Sequence, residues 1–327
     1  KYKKFLSGTR QGEKQFAELS RKLAFYEYCN SSVTKANDYY YRLMMKHEFV
    51  AERDEKDILK FLKNSVAELR KDYEYTKSKT VLYYLKYLEY GYYNIKQNYS
   101  ASRSICLELL NIVRDNKSVY RKQRIGIVYD QLSRSELYLK KYSNAIGSAC
   151  HAQKHFISGT LNHLSGQEQE FYALFYSTQY DEALRVSNEI LKAIPKEPGN
   201  FRYDKYCYQY ASALFAVKDF KAALAVLNQK MDLSQDKAGW DMGVRVLHIL
   251  SLIEQGMCDE ASLCIHSFRK QTERLSQKFN VNVRYTLVSK FLQLLDAKGF
   301  VFAQLNGKAT DIVQKLFSTE KPLRWEI

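Results

Sequence analysis

The sequence predicts an all-α chain, a right-handed superhelical stack of about seven to eight helical hairpins, and three observations carry that expectation. Gly and Pro are scarce, 13 and 3 among 327 residues, whereas β-rich and Pro/Gly-rich disordered chains need far more chain-breaking residues. Apolar positions recur at helical spacing, as at Phe220, Ala223, Leu224 and Leu227, which places them on one side of a 3.6-residue turn. A motif also repeats: an aromatic residue followed three positions later by a small one. It occurs at Tyr99/Ser102, Tyr142/Ala145, Tyr180/Ala183 and Phe220/Ala223, with Cys258/Ala261 as a fifth unit lacking the aromatic. The small residues stand 43, 38, 40 and 38 apart, a period of the length that marks stacked helical repeats.

Residues 12–28, 33–47 and 55–73 are expected to form three amphipathic helices, the last with Ile58, Leu62, Val66 and Leu69 on one face. They would make an N-terminal cap, or diverged hairpins, over residues 1–78. Five repeats follow over 79–278. Their first helices are expected at 81–96, 124–140, 167–177, 203–217 and 241–255, and each second helix opens at the aromatic of the motif. The small residue lies where the two helices cross, because only a side chain about the size of Ala or Ser lets the backbones come close. Asn98 and Asp219 stand where an N-cap oxygen would take up free helix N–H groups. Pro195, which has no N–H to donate, ends its helix. Helices at 283–298 and 309–317, joined by a loop at 299–308, would close the stack over 279–327, since a terminal repeat must cover its own outer apolar face. The three segments are expected to form one continuous solenoid.

With these elements in place the chain resembles the tetratricopeptide repeat family, whose helix-turn-helix unit carries small residues on both helices, an aromatic opening the second and a Pro near its end. Residues 166–198 match best, with Tyr180, Ala183 and Pro195 in register, and Ser133, Ala149 and Ala152 extend the match in the preceding unit. The resemblance implies that the first helices line a concave inner face and that this face binds a peptide or protein segment. In the family's register that face comprises Tyr84, Tyr87 and Asn94, then Asp130, Arg134 and Tyr138, then Glu168, Tyr172 and Tyr176, then Lys205, Tyr208 and Ser212. Such a mixture of Tyr, Asn and charge suits an extended peptide, held by stacking and by hydrogen bonds to its backbone. The Lys/Asn carboxylate clamp of chaperone-tail-binding members is missing, because Tyr87 and Gly91 occupy its first two positions. Tyr83, Tyr90 and Tyr93 are expected to pack between hairpins, with their hydroxyls reaching the edge.

The formal charge of +15 raises an alternative reading, a basic module that binds nucleic acid or an acidic partner. Its candidate phosphate contacts are Arg114, Lys117, Arg121, Lys122 and Arg124, and further basic runs lie at 1–4 and 269–278. Their placement at separated helix ends favours charges that complement helix dipoles. A third reading is a regulatory sensor within a larger protein. It rests on the first residue being Lys1 and on the apolar Leu323 and Trp325 near the end, both of which suggest that more chain exists.

Chemistry-bearing patterns are few. His151 and His155 are four apart on one helix but lack a second ligand pair. Cys264 and His266 are two apart, which turns them to different helix faces. The acidic run at 52–57 reads as a solvated helix start, and no phosphate-cradling or nucleophile-elbow motif occurs. No catalytic, cofactor-binding or metal-ligating residue is expected, and the chain is read as non-catalytic. The six scattered cysteines are expected to be reduced and buried, which suits a cytoplasmic protein. A membrane span is not expected either, since the most apolar stretch, 244–253, is broken by His248 and Ser251.

Overall fold

The computed structural model describes residues 10–47, 52–196, 200–229, 240–276, 283–305 and 307–318. The basic run at 1–4, Pro198, Lys278, Leu323 and Trp325 lie outside these residues. Fourteen α-helices and no strand lie among the described residues: α1 (Arg10–His47), α2 (Glu52–Thr76), α3 (Lys79–Ile95), α4 (Tyr99–Asp115), α5 (Lys122–Tyr138), α6 (Tyr142–His155), α7 (Leu161–Tyr176), α8 (Tyr180–Ala193), α9 (Phe201–Ala216), α10 (Phe220–Leu227), α11 (Trp240–Glu254), α12 (Cys258–Ser276), α13 (Val283–Asp296) and α14 (Gly307–Ser318). The chain forms two compact units, residues 1–169 and 170–327.

All five second helices of the repeats begin at the motif's first residue: Tyr99, Tyr142, Tyr180, Phe220 and Cys258. The small residues three positions on, Ser102, Ala145, Ala183, Ala223 and Ala261, are all completely buried. On the partner helix Ser133 is buried too, and its hydroxyl donates to the Ala145 carbonyl at 2.8 Å, tying α5 to α6 where they cross. Asn98 and Asp219 cap as expected, each Oδ1 accepting a backbone N–H at 3.1 Å, from Ala101 and Ala222. α8 ends at Ala193, and Ile194 before Pro195 is extended (φ −110°, ψ 149°), the conformation that a following proline ring enforces.

The turns inside the repeats share one geometry that the sequence does not advertise. Gln97, Lys140, Thr178, Lys218 and Gly256 all have positive φ, between 56° and 71°. In each the next residue's N–H reaches back over the helix end, as Asn98 N to Tyr93 O at 2.9 Å and Met257 N to Leu252 O at 3.0 Å. This is the left-handed helix stop that glycine adopts at no steric cost, yet only one of the five is glycine.

Two expectations are corrected. The helices expected at 12–28 and 33–47 are one continuous 38-residue helix, α1. The polar segment between them contains no Gly or Pro to break it, Thr34 Oγ1 donates to the Asn30 carbonyl at 3.0 Å, and Ser32 is buried. α7 starts six residues before the expected position, because Gly166 does not interrupt it. A Cβ there would lie 2.9 Å from Gln153 Cγ, so glycine serves close packing on α6.

In the first unit, hydrophobic side chains from α1 to α5 form one core, with Leu62, Leu69, Leu88, Leu109 and Val113 essentially inaccessible. Tyr83 and Tyr90 belong to it, as expected, and Tyr93 packs against it half-buried. Ionic contacts are buried with it. Glu136, 2% exposed, accepts from Arg103 Nε at 3.0 Å and from Ser148 Oγ at 2.8 Å, and so joins α4, α5 and α6. In the second unit one core gathers Met242, Ile249, Ile265, Phe268 and Leu292 from α11, α12 and α13. Of the cysteines, Cys106 and Cys207 are buried and Cys29, Cys150 and Cys264 are half-buried. Cys258 departs from expectation: it is exposed, because it opens α12 where the other units place an aromatic.

Enlarging a crossing residue must push two backbones apart, so Ala183→Leu is expected to cost about 1–3 kcal/mol, read as a lower urea midpoint at unchanged m. Gly256→Ala, with no neighbour near its missing Cβ, should cost about 1 kcal/mol from backbone strain alone. Lys218→Gly at the equivalent turn should be neutral or stabilising in the same titration.

Candidate functional site

In the first unit the register-derived face does not lie open along its whole length. α1 runs along α3 on that side: Leu43 packs on Gly91, where a Cβ would come within 2.9 Å of it, and Tyr40 meets the rings of Tyr84 and Tyr87 at 5.5 and 4.8 Å. Tyr84 and Tyr87 are therefore only 6% and 3% exposed. The Tyr84 hydroxyl donates to Asn37 Oδ1 at 2.8 Å and accepts from Arg124 Nη2 at 3.1 Å, while the Tyr87 hydroxyl accepts from Gln131 Nε2. Both tyrosines thus form the bed of the face, and of the α3 set only Asn94 stays half-exposed.

α5 and the start of α7 bring the remaining members together. Asp130, Arg134 and Tyr138 follow one another along α5 at half-buried positions. Asp130 Oδ1 accepts from Ser165 Oγ of α7 at 3.1 Å, and Glu168 lies one turn further along α7. Burial raises the Asp130 pKa, and the Arg134 charge and the Ser165 hydroxyl oppose that rise only in part. Burial works against the Arg134 guanidinium, but Asp130, with Tyr90, Tyr138 and Glu168, outweighs it and holds the charge more firmly than usual. Beneath them, burial pushes the Tyr90 hydroxyl and the Cys106 thiol up. Tyr138 stacks flat on Tyr99, centroids 4.2 Å apart and planes 7° apart, which fixes its ring at the end of the row.

In the second unit Tyr172 is 8% exposed and its hydroxyl accepts from Gln209 Nε2 at 2.6 Å. Tyr176, half-exposed, stacks against it at 6.5 Å. Tyr208 meets Trp240 edge to face at 5.7 Å, and Lys205 Nζ stands 5.8 Å above the same indole and 5.0 Å above Tyr206. Ser212 turns its hydroxyl back to the Tyr208 carbonyl at 2.8 Å. The structure therefore brings together Tyr172 with Tyr176, and Lys205 with Tyr208, with Tyr172 again serving as bed.

Sequence reasoning missed the residues that hold this bed. Gln131, Gln169 and Gln209 each stand fourteen positions before a crossing alanine and all are buried, so a period search over polar residues would have found them. Two of them bond a buried tyrosine. Trp240 carries no such period.

The basic cluster is only partly presented. Arg124 turns inward, donating to the Val119 carbonyl at 2.9 Å and lying over Tyr83 and Tyr84 at 4.8 and 5.6 Å, so it is not a free phosphate contact. Arg114 bonds the Tyr129 hydroxyl, and Arg121 donates to the Tyr120 carbonyl at 2.7 Å. Lys117 and Lys122 are exposed. His151 stacks on Tyr129 at 5.0 Å, and His155 Nδ1 lies 2.8 Å from the His151 carbonyl. Among the described residues no group of three or more His, Cys, Asp or Glu is gathered to hold a metal ion, and no helix is long and apolar enough to cross a membrane. His266 is exposed, while Cys264 Sγ instead lies 3.9 Å from His248 Nδ1. Burial raises that thiol's pKa, the opposite of what a nucleophile needs.

The Tyr87 hydroxyl bridges α3 and α5 through Gln131. Tyr87→Phe leaves the amide without its acceptor and is expected to cost about 1–2 kcal/mol in urea unfolding, with far-UV helicity unchanged.

No protein-family model and no curated protein matches the sequence. Among solved structures, a Rap protein complexed with competence and sporulation factor is similar, with a TM-score of 0.62 over 88% of this chain and 75% of that one, at 11% identity. A likeness at that identity is one of fold. Together with the fourteen helices among the described residues, their sequential hairpins and the repeated crossing residues, it gives this chain an all-α, tetratricopeptide-like helical-repeat fold.

Proposed function

We propose that the chain is a non-catalytic module that binds a peptide or protein segment on the faces of its repeats' first helices, in a reducing compartment such as the cytoplasm. The observation that carries this reading is the row Asp130, Arg134 and Tyr138, backed by Ser165 and Glu168. Charges on an ordinary solvated helix are not half-buried beside one another above a layer of hydrogen-bonded tyrosines. A fixed carboxylate, guanidinium and aromatic ring in one row suit the polar backbone and one charged side chain of an extended segment. Burial makes each bond worth more than it would be in water. The fold supports the same reading, since a solved structure of similar fold is a complex with a bound factor. The Lys205, Tyr208 and Trp240 group in the second unit is a second contact point of the same kind. Six cysteines without a disulfide suit the compartment.

The test is selection from a random decapeptide display library against the wild-type chain, followed by fluorescence anisotropy of the enriched peptides. Asp130→Ala/Arg134→Ala should weaken them at least tenfold with helicity retained. Absence of enrichment, or unchanged affinity in the variant, would sink the proposal. A pH series adds a signature. Because the Asp130 carboxyl takes up its proton at a higher pH than an ordinary aspartate, affinity for a cationic peptide should fall on mild acidification, before surface carboxylates titrate. Asp130→Asn should bind more weakly and lose that early fall.

A further inference from the structure

The strip where α4 and α6 flank α5 gathers cations that stand in separate runs of the sequence. Lys122, Tyr129 and Glu136 are seven apart on α5, two helical turns each, and so share one of its faces. At the far end of that face Glu136 is buried and already taken up by Arg103 and Ser148. Around Tyr129 the neighbours are cationic or aromatic. Arg114, in the last turn of α4, donates to the Tyr129 hydroxyl, the His151 ring of α6 stacks on the phenol at 5.0 Å and 21°, and His155 lies 6.0 Å away. Lys154 stands one turn after His151, Lys117 follows Arg114 in the turn out of α4, and Lys122 opens α5.

Nothing on the chain neutralises these charges. Elsewhere in this unit exposed cations meet carboxylates, as Lys22 meets Glu18, Arg42 meets Asp38 and Arg70 meets Glu89. Arg114, Lys117, Lys122 and Lys154 are exposed, and among the described residues none of the four forms an ion pair. The sequence offers few acids to pair with: residues 109–129 hold only Asp115, and residues 137–167 hold none. Helix dipoles explain half of the pattern. Arg114 and Lys154 close helices, where a cation is favoured, but Lys122 opens one, where it is disfavoured. The first turn of α5 contains no acid, and its N-cap residue, Arg121, makes no side-chain capping bond. A helix start that carries cations in place of acids is less stable for it, and a bound anion would offset that cost. Planar rings set among the cations narrow the kind of anion. Tyr120, between Lys117 and Lys122, is 48% exposed, and His151 is exposed although it stacks on Tyr129.

We infer that this strip binds single-stranded nucleic acid, with phosphates on Arg114, Lys117, Lys122 and Lys154 and bases stacked on Tyr120 and His151. Rings between cations suit a strand whose every unit carries one phosphate and one flat base, whereas an acidic polypeptide would use the cations alone. The surface is distinct from the row Asp130, Arg134 and Tyr138, which lies on another face of α5, and it does not depend on peptide binding there.

Fluorescence anisotropy of the full chain with labelled single-stranded RNA and DNA of about twelve nucleotides tests this. Binding is expected with a dissociation constant on the order of 10 μM, and three or four phosphate contacts give a slope of about −2 to −3 against log salt. Lys122→Glu/Lys154→Glu should weaken it about tenfold or more, whereas the same charge change on the exposed face of α2, Lys63→Glu/Lys71→Glu, should weaken it less than about threefold. Because an acid suits a helix start, Lys122→Glu by itself should melt no lower than the wild type, which separates lost binding from lost fold. Tyr120→Ala/His151→Ala should weaken binding of the normal strand about fivefold or more and leave that of an abasic strand unchanged. No anisotropy change at the lowest salt overturns the inference, as does equal weakening by the two charge-reversal pairs. Polyglutamate of equal charge bound as tightly as the oligonucleotide, or an abasic strand bound as tightly as the normal one, would make the surface one for acidic chains in general and overturns it too. Should Lys122→Glu/Lys154→Glu fail to fold, Lys122→Gln/Lys154→Gln decides in its place.

Discussion

The rest of the molecule depends on one steric condition, that two helices of a hairpin touch backbone to backbone at a completely buried Ser or Ala. Ser102, Ala145, Ala183, Ala223 and Ala261 meet it in five successive units. Close approach at one point leaves a three-residue turn as the only economical return, and that turn demands a left-handed residue. Gln97, Lys140, Thr178 and Lys218 accept this conformation although each carries a Cβ. Strain of about 1 kcal/mol at each turn is offset by the side chains that the crossing buries. The same condition fixes helix phase, so that residues at constant distance from the crossing alanine fall on the same face in every unit. Gln131, Gln169 and Gln209 follow from it, as does the row on α5.

Phase alone does not decide what a face meets. On α3 the face that the repeat register leaves open is covered by α1, and the tyrosines there became interior residues with their hydroxyls bonded to Asn37, Arg124 and Gln131. On α5 the same register positions stay at the surface, and there the charges are kept. Tyrosine suits the first situation and an Asp with an Arg charge near it the second. A buried aromatic body gains from leaving water while one hydroxyl is easily satisfied. A buried carboxylate needs a cation beside it to remain charged. Tyr84, Tyr87 and Tyr90 are thus buried beside the few charges that α5 keeps.

One half of α1 is consumed in covering α3 and bonding α2 through Glu68 and Asp72. Further toward its start the helix carries Leu19 and Leu23 at exposed positions.

The sequence by itself determined the all-α class, the repeat period, the start of each second helix, the crossing residues and the Asn98 and Asp219 caps. These are local or periodic consequences of side-chain size, helix phase and hydrogen-bond chemistry within a few residues. It also placed Asp130, Arg134 and Tyr138 in one row, because i, i+4 and i+8 share a helix face. Only the tertiary structure decided that α1 is unbroken, that it buries Tyr84 and Tyr87, that Arg124 turns inward onto Tyr83 and Tyr84, and that Cys264 meets His248 and not His266. The first three depend on which distant helix comes to lie alongside, and the last on how two consecutive helices pair. Contacts between residues forty positions apart leave no period in the chain, and they are set by packing that no single helix encodes.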